Sequence, residues 1–99
     1  MAKLTSVPTK VTISCGSTVK VRIKISDDAK DVNIAALGYD PSVCKLDWDS
    51  ASTQDKGYVD LSISSPKDKD GKCSGGETTI TFDAKNYDAS TVDVSCSKG

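Results

Sequence analysis

The chain has 99 residues, with 13 basic side chains against 14 acidic ones and no histidine; that is enough for one two-layer core and too little for a second. The basic residues are scattered singly and only Arg22 is an arginine, which, with five aromatics, leaves no stacking platform or bidentate fork for nucleic acid. No stretch approaches the ~20 apolar residues that span a bilayer, and no charged-then-apolar leader opens the chain, so membrane insertion is not expected.

Nine Val, six Ile and nine Thr stand against four Leu and a single Glu, a balance that suits half-buried pleated surface rather than helix. Residues 1–10 read as a leader to the core or as an edge strand, Leu4 to Val7, broken at Pro8. Val11, Ile13 and Cys15 then alternate. Thr18 to Ile25 does so for eight residues, with Val19, Val21, Ile23 and Ile25 on one face and Thr18, Lys20, Arg22 and Lys24 on the other. Val32 to Ala35 is a shorter candidate strand. Period two returns in Cys44, Leu46 and Trp48, in Val59, Leu61 and Ile63, in Thr78, Ile80 and Phe82, and in Val92, Val94 and Cys96.

Turn chemistry separates these runs at Cys15-Gly16-Ser17, Ser26-Asp27-Asp28, Asp40-Pro41-Ser42, Ser50 to Gly57, Ser65 to Gly76 and Asn86 to Ala89. Short strands with no helical period between them predict an all-β, antiparallel two-sheet sandwich over residues 1–99 as one domain. Its expected core is Val19, Val21, Ile23, Ile25, Leu46, Trp48, Leu61, Ile63, Ile80, Phe82, Val92 and Val94. Four cysteines without a CxxC pair indicate disulfides and an oxidising compartment rather than a zinc site. Cys73, inside the long polar segment 65–76, is expected to tie that loop to the body.

From Val11 onward the order of features resembles the group 2 bacterial immunoglobulin-like domains. The resemblance rests on Val11 to Thr18, on Tyr39-Asp40-Pro41-Ser42-Val43-Cys44-Lys45-Leu46, where Cys44 replaces a small alanine, on Gly75 to Phe82, and on Ser90 to Val94. It implies an immunoglobulin-like sandwich acting as a spacer or adhesion module of a bacterial surface or phage virion protein. In such a sandwich the strand ending at Cys15 runs parallel to the last strand, ending at Cys96. The expected bridges are therefore Cys15 with Cys96 and Cys44 with Cys73. Because all four cysteines crowd one pole, the other two pairings stay open.

No catalytic set emerges. Asp47 and Asp49 share the solvent face of one expected strand, but the single Trp lies on the other face by parity, so they read as solvated acids rather than a glycosidase pair. Asp68, Asp70 and Gly71 resemble the start of a calcium loop, yet Thr79 stands where its closing Glu belongs; these two acids are a weak calcium site at best, and no cofactor is expected. With no histidine and no nucleophile beside a base, an enzyme is not expected. Tyr39, Tyr58 and Tyr87 fall near loops and are the candidate ligand-binding residues. The expected partners are a protein or glycan surface ligand and neighbouring domains of a longer chain. The expected setting is extracellular, on a cell surface or virion, with a carbohydrate-binding module of a secreted enzyme as the alternative.

Overall fold

The computed structural model describes residues 2–99. It contains ten strands: β1 (Ala2–Val7), β2 (Lys10–Ile13), β3 (Thr18–Ile25), β4 (Asn33–Leu37), β5 (Lys45–Leu46), β6 (Ser50–Ser52), β7 (Tyr58–Ser64), β8 (Gly76–Asp83), β9 (Tyr87–Asp88) and β10 (Ser90–Cys96). They form two five-stranded sheets, in the orders β5-β7-β3-β1-β9 and β2-β10-β8-β4-β6. Among the described residues there is no helix.

The period-two runs dictate which face each strand buries. In β3, Val21 and Ile23 are buried while Lys20 and Lys24 face water, as the alternation requires. Leu61, Ile63, Ile80, Phe82, Val92 and Val94 join them from both sheets, and Ile13 and Ile34 are equally buried. Val19, Ile25, Leu46 and Trp48, expected at the centre, are only half-buried and pack against the margin of this core. Each sits at or beyond a strand end, where the facing sheet no longer covers it completely.

The sheets are mixed rather than wholly antiparallel. The chain leaves the first sheet at Val7-Pro8, a cis peptide bond, and continues as β2 in the second sheet. There β2 runs parallel to β10, with Val11 opposite Val94 and Ile13 opposite Cys96. A two-residue parallel pairing of β1 with β9 adds a second such contact. Within β1, Leu4 to Val7 pair with β3, while the pairing with β9 is made by Ala2 and Lys3. Pro8, which has no N–H to donate, falls at the crossing between sheets, where no ladder bond is lost.

The expected strand through Trp48 stops after Leu46, because residues 47–49 cross from one sheet to the other. Asp47 stays with the first sheet, its N–H donating to the Ser62 carbonyl at 3.2 Å, while the carbonyl of Asp49 already accepts the Ala36 N–H of the second at 2.9 Å. The two acids therefore do not share a strand face. Trp48 lies between them at the crossing, its ring edge-on to Phe82 with centroids 6.4 Å apart and its indole N–H donating to the Asp60 carbonyl at 2.8 Å.

The sandwich is elongated, 45 × 19 × 18 Å. Ala2 lies at the pole where β3 ends, since the Lys3 carbonyl accepts the Ser26 N–H. Gly99 lies at the opposite pole, exchanging backbone hydrogen bonds with Cys73 at 3.1 and 3.2 Å. That second pole is tightly filled. Gly75 has φ +69°, and a Cβ there would sit 2.8 Å from the Lys98 nitrogen, a combination that favours glycine.

Candidate functional site

The cysteine pole departs from the expected pairing. All four cysteines do gather there, but the bond joins Cys15 to Cys73, with the Cα atoms 5.6 Å apart, while Cys44 and Cys96 are buried free thiols. The register of the parallel pair gives the reason. Cys96 stands opposite Ile13, so Cys15 projects two residues, ~6–7 Å, beyond it, past the end of the sheet. Cys96 points into the core, whereas Cys15 meets the long loop, whose Ser65 carbonyl accepts the Gly16 N–H and whose Ser65 N–H donates to Ser17. Burial pushes the Cys44 thiol up to about 11, with the neighbouring Cys96 adding to the effect. A thiol held that far from its thiolate is a poor nucleophile.

The Asp-Pro-Ser-Val segment at the same pole owes its sequence to a local turn. The Asp40 carboxylate accepts the Ser42 N–H at 2.9 Å and its hydroxyl at 2.7 Å, and the Asp40 carbonyl accepts the Val43 N–H at 3.0 Å. This is an Asx-turn, and the Ser42 bonds hold the Asp40 carboxyl below its ordinary range. Asp68 organises the long loop similarly, accepting the N–H groups of Asp70 at 2.8 Å and Lys72 at 3.0 Å. Among the described residues no cluster of three or more metal-ligating side chains forms.

The three candidate tyrosines do not converge. Tyr39 packs on the margin of the core near the cysteine pole, where the N–H of Asp40 donates to Thr78. Tyr87 lies at the other pole, its hydroxyl donating to Asp27 at 2.6 Å. Tyr58 is on the outer face of the first sheet. One shared sugar platform is therefore not formed by them.

Tyr58 instead belongs to a group that parity reasoning about single strands misses, because it is assembled across β3, β7 and the crossing at Trp48. Arg22 stands directly opposite Asp60 in the ladder. It donates from Nε to Oδ1 at 2.9 Å and from a terminal nitrogen to Oδ2 at 3.2 Å, and its guanidinium lies 3.9 Å from the centre of the Tyr58 ring. Asp60 thus holds Arg22 with its carboxylate and Trp48 with its carbonyl. Hydrogen bonding to Arg22 keeps the Asp60 carboxyl below the ordinary range. Trp48, Tyr58 and Asp60 also line a groove of about 290 Å³ with Gln54 and Lys56, the best-defined chemical constellation on this face. A planar, stacked and bidentate Arg is not interchangeable with Lys there.

The Tyr87 contact carries a pH signature. Its hydrogen bond to Asp27, followed by desolvation, raises the phenol to about 12. A group whose folded value is raised contributes stability that is complete below the ordinary phenol range and lost as pH climbs through the raised value. Ultraviolet titration should show a tyrosinate step delayed to near that raised value, and Tyr87→Phe should remove this late step. An unchanged late step in that variant would assign it elsewhere.

No protein-family model and no curated protein matches the chain. Among solved structures it is similar to WR4, a C. elegans MSP family member, with a TM-score of 0.68 at 10% identity, covering 95% of this chain and 97% of that one. At that identity the likeness shows the fold alone: an immunoglobulin-like β-sandwich.

Proposed function

We propose that this chain is a non-catalytic immunoglobulin-like module of an extracellular bacterial surface or phage virion protein, similar to the group 2 bacterial domains. In this reading it spaces or presents neighbouring domains and takes a protein or glycan ligand on its surface. The observation that supports the reading is the placement of Ala2 and Gly99 at opposite poles of a body 45 Å long, because each copy in a series would then add its full length. A disulfide across one pole fits an oxidising setting. Small-angle scattering in high salt tests it: two copies joined end to end should give a maximum dimension close to twice that of one. A particle folded back to little more than one copy's length would sink the spacer reading.

A second reading, a carbohydrate-binding module of a secreted enzyme, draws on the Trp48–Tyr58 groove, since flat aromatic faces stack on sugars. A glycan array separates the two. A spacer leaves it silent, whereas a carbohydrate module gives a signal that Tyr58→Ala removes.

A further inference from the structure

The outer faces of the two sheets carry opposite charge. On the first, Lys20, Arg22 and Lys24 alternate with the buried residues of β3, Lys3 stands on β1 and Lys45 on β5. Three acids oppose these five: Asp60, engaged by Arg22, Asp88 opposite Lys3, and Asp47 at the β5 edge. The balance is +2. On the second face Glu77 and Asp83 on β8 and Asp93 on β10 alternate with buried Ile80, Phe82, Val92 and Val94, and only Lys10, across from Asp93, offsets them. The balance there is −2.

Each face also presents one apolar side chain. Val7 at 48% exposure and Leu37 at 49% are the exposed large hydrophobics among the described residues. Val7 stands opposite Arg22 with Lys20 and Lys24 on either side of it along β3. Leu37 stands opposite Thr81, one step of the same face from Asp83. The acidic face is moreover hollow, with a shallow depression of about 510 Å³ that includes Lys10, Thr12, Glu77, Thr79 and Asp93 in its lining. That volume is ample for a lysine side chain.

We propose that the basic face of one copy docks on the acidic face of the next, the Val7 patch meeting the Leu37 patch and lysines of the first sheet reaching the acid-lined hollow. The occupant of each face is a second copy of this chain, and the contact is front to back, so that it repeats instead of closing on a two-fold axis. A net charge of −1 leaves little overall repulsion against it. Strands of two to eight residues, five to a sheet, at ~3.3 Å rise and ~4.8 Å spacing give a face of roughly 400 Å², so about 800 Å² is covered in total, the size of a weak, reversible contact. The inference goes beyond the spacer reading and does not depend on it.

Sedimentation of the whole chain in low and high salt tests the proposal, because the Debye length falls from ~30 Å at 0.01 M to ~3 Å at 1 M. The wild type should self-associate at low salt with a dissociation constant that rises about tenfold or more at high salt. K20E/K24E has two negative faces and E77K/D83K two positive ones; each alone should be monomeric, and an equimolar mixture of the two should associate again. Recovery on mixing requires both variants to be folded, so a folding failure cannot imitate it. A wild type that stays monomeric at low salt, association that survives either pair of reversals, a mixture that does not recover, or binding to a polyanion without self-association would each overturn the proposal.

Discussion

Loss of the Cys15–Cys73 bond, by reduction or by Cys73→Ser, should lower the stability of the fold by about 4 kcal/mol, the chain-entropy value for a loop of this length. The bond closes a 58-residue separation, and the segment it restrains includes β3 to β7, most of the first sheet. For a chain of this size that loss corresponds to roughly 15–30 °C in Tm. Differential scanning calorimetry with and without reductant measures it. Peptide mapping under non-reducing conditions checks the cause, since Cys15 and Cys73 should be recovered together, with Cys44 and Cys96 alkylated only after denaturation. A Tm that moves by only a degree or two, or a Cys15–Cys96 peptide, would contradict this account.

Phe82→Ala should cost about 3–5 kcal/mol. Phe82 is wholly buried on β8, and its ring is met edge-on by Trp48 from the crossing between the sheets. Removing it leaves a cavity where the sheets face each other and withdraws the partner that orients the indole. Phe82→Leu, which keeps most of the volume, should cost markedly less. Equilibrium denaturation followed by Trp48 fluorescence reads both effects from a single probe, as Trp48 is the chain's only tryptophan. Equal losses in the two variants would show that ring geometry, and not volume, is what the site requires.

The fold was largely legible because period-two patterning is a local property that survives into the sheet. Val21 and Ile23 face inward and Lys20 and Lys24 outward for the reason visible in the chain itself. The crossings were not legible. Nothing in Leu46-Asp47-Trp48-Asp49 marks where one sheet is left for the other, since the alternation continues through the crossing. The cysteine pairing failed on a similarly small margin. That the strand leading to Cys15 runs parallel to the last strand was correct, but a bond also needs the register, and Cys96 lies opposite Ile13 rather than Cys15. The Arg22–Asp60–Tyr58 group depends on which residues of β3 and β7 stand opposite each other, a long-range register that strand parity leaves undetermined. The Asp40 turn shows the reverse case. Its residues carried much of the family resemblance, and their hydrogen bonds are those of a turn that any chain can use at such a corner.

The parallel pairing of β2 with β10 has a mechanical consequence. A pull applied at Ala2 and Gly99 draws the first and last parts of the chain in opposite directions, along strands that lie side by side from Lys10 to Ile13 and Asp93 to Cys96. Their hydrogen bonds are then loaded in shear and must yield together, instead of unzipping one at a time. Should they yield, the Cys15–Cys73 bond withholds the chain between its ends, a sequence separation of 58 and about 200 Å of contour at full extension, so tension can lengthen only the two terminal segments.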